Sequence, residues 1–210
     1  MKGGAARLRD GGGARGSVAR RRASRRPLVL GLAALVLGLA AAGAVVLLSP
    51  IEDAIKEITL PLRHDDIIRQ QARQKDLDPA LVAAVIYRES KFRDQTSKAG
   101  AEGLMQILPE TAEFVASKSG GTDFEQADLG DPQINIAYGC WYLRYLLDRY
   151  HGNEVAAVAA YNAGHERVDS GGGSRLELAD IRFPETLQYT RDVFEKRGEY
   201  AHRYGRELGL

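Results

Sequence analysis

At 210 residues and 44% apolar side chains the chain has the length of one domain with extensions and the composition of an ordinary globular protein. Its net charge of +1 conceals an asymmetry: residues 1–26 hold Lys2 and eight arginines against Asp10 alone, a local +8, which leaves −7 on the remainder. A basic head on an acidic body argues against a nucleic-acid-binding body, because that function needs clustered Lys and Arg to neutralise phosphates.

Residues 1–26, rich in Gly, Ala and Arg without apolar periodicity, read as a basic cytoplasmic tail with no fixed structure. Residues 28–48 come next as 21 positions with no charge. At about 1.5 Å per residue they reach roughly 30 Å, the hydrocarbon thickness of a bilayer. The arginines just before them keep the tail inside, so the run reads as one transmembrane signal-anchor helix that exports the rest of the chain. A cleaved signal peptide is the alternative: Ala42-Gly43-Ala44 offers a small-residue cleavage site, although residues 45–48 continue the apolar run beyond it. Residues 49–63 form a linker in which IEDAIKEI is suited to a short helix.

From residue 64 onward helices dominate. Asp65 is placed to cap DIIRQQARQK. Asp78-Pro79 is a strong start signal for PALVAAVIYRES, an N-cap carboxylate followed by the residue favoured at the first helical position. GLMQILPETAEFVASK predicts a short helix and, opened near Pro109, a second. Asp131-Pro132 repeats the start signal for QINIAYGCWYLRYLLDRY, where Ile134, Tyr138, Trp141, Tyr142, Tyr145 and Leu146 mark an apolar face. Cys140, alone in the chain, has no partner for an internal disulfide and fits that helix as a small buried hydrophobe. Gly152 ends the helix, and Asn153 is placed to cap EVAAVAAYNA. Residues 170–174 read as a flexible glycine-rich loop, Pro184 opens ETLQYTRDVFEKR, and residues 201–210 read as a C-terminal tail. No run alternates as a half-buried strand does, beyond room for a minor hairpin in a loop, so the fold class is mainly α.

Within YRESKF, Glu89 lies i+4 from Val85 and i+8 from Leu81, with Val82 and Ile86 beside them, so it continues the apolar stripe of its helix. A carboxyl taken out of water holds its proton to higher pH and becomes a candidate general acid. A plainer account is a frayed helix end with Glu89 paired to Arg88 or Lys91, and helix position alone favours it. The helix dipole disfavours a carboxylate there on either account.

Several short motifs succeed one another: Glu89-Ser90; Ser97 with Ala99-Gly100-Ala101; Gly103-Leu104-Met105-Gln106; Ala160-Tyr161-Asn162-Ala163-Gly164; and Glu185-Thr186 with Tyr189. Together they resemble the catalytic domain of the soluble lytic transglycosylases, in that family's order and approximate spacing, across residues 64–200. Asn135, Gly139 and Tyr142-Leu143 also fit its pattern. The resemblance implies a lysozyme-like helical domain with a groove for the glycan strand of peptidoglycan, and it implies that Glu89 is the single catalytic acid/base. Protonated Glu89 would donate to the oxygen linking N-acetylmuramic acid to N-acetylglucosamine; as carboxylate it would then take the proton of the muramoyl C6 hydroxyl, which closes a 1,6-anhydro ring. An intramolecular nucleophile needs no second carboxylate, and Asp94 and Glu102, the acids nearest in sequence, sit in no such motif.

By the same resemblance the substrate-binding residues are Ser90, Ser97, Met105, Gln106, Tyr161, Asn162, Glu185 and Tyr189. Ser90 is equally suited to a helix-end hydrogen bond, Met105 to packing, and Tyr161 to orienting Glu89 or the sugar. His165 stands where the family usually has Pro, and residues 164–183 are Gly-rich with several charges, so the far end of the groove is expected to differ. The four histidines show no ligand spacing, and no metal or cofactor is expected. The expected protein is a monomeric lyase, held single-pass in a bacterial cytoplasmic membrane through residues 28–48, with peptidoglycan as its partner on the outer side. A hydrolytic muramidase of related fold and a non-catalytic wall-binding scaffold are the alternatives.

Overall fold

The computed structural model describes residues 58–119 and 125–210. The basic tail and the apolar run at 28–48, with the anchor and signal-peptide readings attached to them, lie outside those residues. Among the described residues no helix is long and apolar enough to cross a membrane.

Seven α-helices carry the described part: α1 (Asp65–Gln74), α2 (Pro79–Ser90), α3 (Pro109–Ser119), α4 (Pro132–Arg149), α5 (Glu154–Ala163), α6 (His165–Gly171) and α7 (Pro184–Leu208). Short 3-10 turns interrupt the connections at Gln126–Gly130, Gly173–Arg175 and Leu178–Asp180. The nearest approach to a strand among the described residues is a pair of isolated antiparallel bridges, Thr96 with Glu102 and Glu102 with Ile107.

α2 is the centre of the core. The Asp78 carboxylate accepts from the Ala80 N–H at 2.8 Å with Pro79 in the first turn, so the start signal works as local chemistry. Every residue from Ala80 to Ile86 is buried, because PALVAAVI has no polar side chain to offer solvent; the helix is enclosed all round rather than along one stripe. Leu81, Val82, Val85 and Ile86 contribute roughly 6–12 kcal/mol of burial before chain entropy is set against it. A Val85→Asp change would put an unpaired carboxylate into that space and unfold the helix's surroundings. α2 packs most extensively on α7; α1 contacts α2, α4 and α7, and α5 packs against α4 and α7.

Four local expectations change. Asp65 does not cap α1: His64, in the left-handed region at φ 57°, precedes the helix, and Asp65 instead pairs with Arg69 one turn on. Gly103–Gln106 is a turn closed by the Glu102–Ile107 bridge and not a short helix. Residues 170–174 are not an irregular loop, since α6 runs to Gly171 and a 3-10 turn comes after it. Residues 201–208, read as tail, continue α7, because Tyr200, Tyr204 and Leu208 recur every fourth position and bury one stripe. The Tyr200 and Tyr204 hydroxyls donate to the carbonyls of Pro61 at 2.6 Å and Leu60 at 2.7 Å, so the end of the linker also belongs to the packed body. Elsewhere Asp131 accepts from the N–H groups of Gln133 and Ile134, and Asn153 from that of Ala156. Cys140 is fully buried, and burial pushes its thiol up to about 12, which leaves it inert.

Candidate active site

α2 ends abruptly at Ser90, one residue beyond Glu89. Lys91 and Phe92 both take left-handed dihedrals, φ 53° and 59°, a conformation that L side chains adopt only when the surroundings hold it. Burial of Phe92 against the Tyr200 ring, with centroids 6.0 Å apart, supplies that support. The Lys91 N–H closes the helix on the Tyr87 carbonyl at 2.9 Å, and the buried Ser90 hydroxyl donates to the Leu104 carbonyl at 2.7 Å. The helix end is therefore pinned, and the frayed-end account of Glu89 fails. Arg88 does not neutralise Glu89 either: its Nε pairs with Asp192 at 3.1 Å, and its guanidinium lies 5.2 Å from the centre of the Tyr189 ring.

Glu89 keeps one edge open to solvent while its carboxyl is largely desolvated. Burial pushes it up to about 7, against the opposing pull of a hydrogen bond from Tyr189 and the charge of Arg88. The Tyr189 hydroxyl donates to Glu89 Oε1 at 2.5 Å. Tyr189 and Tyr161 are themselves held well above the usual phenol range, by burial first and by the nearby Glu89 charge second, so both remain donors. A carboxyl poised at neutral pH and bonded by a permanent donor, Tyr189, can give up a proton and take one back.

The Ser90–Leu104 bond ties the end of α2 to a wall formed by the Gly103–Gln106 turn, and a side chain thirty residues downstream builds it. Asn135, fully buried on α4, accepts from the Met105 N–H at 2.8 Å and donates to the carbonyls of Glu102 at 2.9 Å and Leu129 at 3.0 Å. Gly103 has φ 74°, and a Cβ there would lie 2.2 Å from Asn135 Nδ2, so both backbone freedom and the absent side chain are required. Gly139, one helical turn from Asn135, leaves room for Met105, whose Sδ would sit 2.3 Å from an added Cβ. The Tyr161 hydroxyl completes the wall by donating to the Met105 carbonyl at 3.0 Å.

The expected site residues thus separate into two groups. Ser90 and Met105 are buried and hold the wall, so neither faces a ligand directly, and Tyr189 is buried against Glu89. The Tyr161 hydroxyl donates to the Met105 carbonyl, and the ring lies within reach of the Glu89 charge. Ser97 shapes the turn before the wall, with its Oγ accepting from the Ala101 N–H at 3.0 Å. Gln106, at φ 48°, has its Nε2 engaged by the carbonyls of Gln95 and Gly103, both at 2.8 Å, which leaves Oε1 to meet a ligand. Asn162 and Glu185 are exposed at the ends of α5 and α7. A recess beside Gln106 is lined by Leu108, Thr111, Tyr142 and Tyr161. From it the aromatic rings of Tyr142, Tyr145 and Trp141 continue along α4, the last two stacked within 5° of parallel. Sequence reasoning missed the roles of Asn135 and Arg88. An Asn inside an apolar helix face is the signal that marked the first, since a buried amide must find partners; nothing local marked the second.

A carboxyl raised to neutral pH by burial at the end of a central helix, bonded by a buried tyrosine in a mainly helical body, is the arrangement of the lysozyme-like class. The model of the transglycosylase SLT domain matches residues 66–182, more than half the chain, and the chain belongs to that family. Among similar proteins, the soluble lytic murein transglycosylase of Salmonella typhimurium is 32% identical over 163 residues, covering 73% of this chain and 25% of the relative. The membrane-bound lytic murein transglycosylase C of Actinobacillus pleuropneumoniae is 32% identical over 108 residues, covering 47% and 30%. The X-ray structure of an inactive glutamate-to-glutamine mutant of lytic transglycosylase Slt from Pseudomonas aeruginosa superposes with a TM-score of 0.67 at 30% identity, covering 71% of this chain and 26% of that one. The chain spans about a quarter of the length of the soluble relatives it matches.

Proposed function

We propose that the chain is a peptidoglycan lytic transglycosylase in which Glu89 acts first as acid and then as base. The carrying observation is the Glu89 carboxyl, raised to about 7 by burial and hydrogen-bonded by Tyr189. In the first step Glu89 gives its proton to the oxygen of the MurNAc-(β1,4)-GlcNAc bond, which breaks as positive charge develops at the anomeric carbon. The Tyr189 bond and the Arg88 charge then stabilise the carboxylate left behind. In the second step that carboxylate takes the proton of the muramoyl C6 hydroxyl, whose oxygen bonds to the anomeric carbon. Glu89 ends protonated and no water is consumed. Gln106 Oε1 and Asn162 are assigned to the acetamido groups, the Tyr142 and Tyr161 rings to sugar faces, and Ser97 and Glu185 to the rim.

Mass spectrometry of digested peptidoglycan tests the chemistry: anhydro-muropeptides are expected, and products heavier by one water would replace this reading with hydrolysis. Glu89→Gln is expected to lower the rate by at least about a hundredfold. Wall clearing that survives Glu89→Gln would leave a binding scaffold as the better account. We also infer anchoring through residues 28–48, supported by their unbroken apolar character and the arginines before them. Recovery of the full-length protein in the alkaline-washed membrane pellet is the expected result; a soluble product shortened near Ala44 would refute it.

A further inference from the structure

Side chains at neighbouring helix positions leave the axis about 100° apart, so Arg88 has no local reason to act on Glu89. Its charge is brought beside the acid from across the fold. Asp192 of α7 accepts from Arg88 Nε at 3.1 Å through Oδ2, and its Oδ1 accepts from Gln188 Nε2 at 2.6 Å, one turn back on the same helix. The carboxylate is thus braced on its own helix, and the guanidinium it holds lies 5.2 Å from the centre of the Tyr189 ring. That ring carries the hydroxyl that donates to Glu89 at 2.5 Å. The other charges around the Arg88–Asp192 pair, among the described residues, are Lys91, Glu195 and Lys196, which line the same groove with Tyr87. Lys196 is taken up by Glu199 at 2.7 Å and lies 5.5 Å from the centre of the Tyr87 ring. On the Glu89 side, Tyr161 of α5 and Tyr189 of α7 both keep their protons.

We infer that Asp192 is a positioning residue for the reaction: braced by Gln188, it holds Arg88 against the Tyr189 ring, where the guanidinium steadies the carboxylate that Glu89 becomes between its two proton transfers. Without that hold Arg88, already 35% exposed along its side chain, turns out to water and its charge is screened from the acid. The Arg88 charge favours the ionised form of Glu89, so its departure makes the proton harder to give up. The inference rests on the reading of Glu89 as a peptidoglycan-cleaving acid. It adds to that reading a residue that touches neither the substrate nor Glu89.

The test follows the alkaline limb of the pH profile of kcat/KM on peptidoglycan strands, which reports loss of the Glu89 proton. Asp192→Ala is expected to move that limb up by about half a pH unit and to lower kcat about threefold. Loss of the Asp192 charge by itself acts the other way, because a nearby carboxylate disfavours ionisation, so an upward shift comes through Arg88. Arg88→Gln should give the same shift, the double variant no more than Arg88→Gln alone, and Asp192→Glu a limb back near its wild-type place. A limb that stays or moves down in Asp192→Ala, a profile lowered evenly at every pH, or full additivity in the double variant overturns the inference. Titrating the isotope-labelled Glu89 carboxyl by NMR, without substrate, should show the same upward shift independently of turnover, and no shift there overturns the inference as well. Lytic activity that survives Glu89→Gln refutes the catalytic reading instead, and the NMR titration then decides the positioning alone.

Discussion

Replacing Glu89 by Gln is expected to stabilise the fold while removing the chemistry, by an amount that grows with pH. In the folded protein the carboxyl titrates at about 7 instead of 4.5, because desolvation outweighs the Tyr189 hydrogen bond and the Arg88 charge. Below 4.5 the folded and unfolded states both hold the proton, and Glu89 costs nothing. Between 4.5 and 7 the unfolded chain releases a proton that the folded state keeps, so stability falls as pH rises and the loss is complete above 7. At about 1.4 kcal/mol per pH unit the full loss is roughly 3 kcal/mol. Solvent at the open edge screens part of it and leaves about 2 kcal/mol. Gln keeps the shape and an acceptor for Tyr189 but carries no charge. The variant should therefore match the wild type near about pH 4 and exceed it by roughly 4–8 °C in Tm near about pH 8.5. Paired thermal and urea melts across that range measure the difference. Equal stability throughout, or a variant weaker at alkaline pH, would refute the desolvation of the carboxyl and the reason for its raised titration.

Tyr189→Phe removes the one hydrogen bond that favours the Glu89 carboxylate, so the alkaline limb of the pH profile of kcat/KM should move to higher pH while kcat falls; a limb that stays in place would show that the 2.5 Å contact does not govern the acid. Asn135→Ala leaves the Met105 N–H and the carbonyls of Glu102 and Leu129 without their partner. That loss is expected to cost about 3–4 kcal/mol in a urea titration. Gly139→Ala drives a methyl into Met105 and should cost about 1–3 kcal/mol, with activity falling further than stability because the Tyr161 contact moves with Met105. Truncation after Tyr200 removes the buried Tyr204 and Leu208 and should lower stability by roughly 3–6 kcal/mol, seen as a lower urea midpoint.

The features most plainly written in the sequence are those that short-range chemistry dictates. Asp78-Pro79, Asp131-Pro132 and Asn153 announce their helices because an N-cap and its recipients lie within three residues of each other. The Gly103–Gln106 turn was not legible as a turn, since its conformation is imposed by Asn135 from another helix. The helical spacing that put Glu89 on an apolar stripe was real but understated, because α2 is enclosed on every side up to Ile86. Spacing could not decide between a frayed and a pinned end; that depended on Ser90 reaching Leu104 and on Tyr189 arriving a hundred residues later. The extension of α7 was hidden by its charges: Arg203, Arg206 and Glu207 mask the four-residue recurrence of Tyr200, Tyr204 and Leu208.

The anchorage of Leu60 and Pro61 on α7 has a mechanical side. Tension on the leading end of the packed body meets three held carbonyls in succession: that of Thr59, which accepts from the Tyr87 hydroxyl of α2 at 3.1 Å, and those of Leu60 and Pro61, held by Tyr204 and Tyr200. Tyr200 lies eleven positions beyond Tyr189, roughly 17 Å along the helix at 1.5 Å per residue, and Tyr204 sits at a kink where its dihedrals leave the helical region. A pull on the chain is thus shared between the distal half of α7 and the Tyr87 position of α2. Glu89 lies two residues beyond Tyr87 on α2, so a load on the linker reaches the helix that carries the acid as well as the one that carries its hydrogen-bond partner.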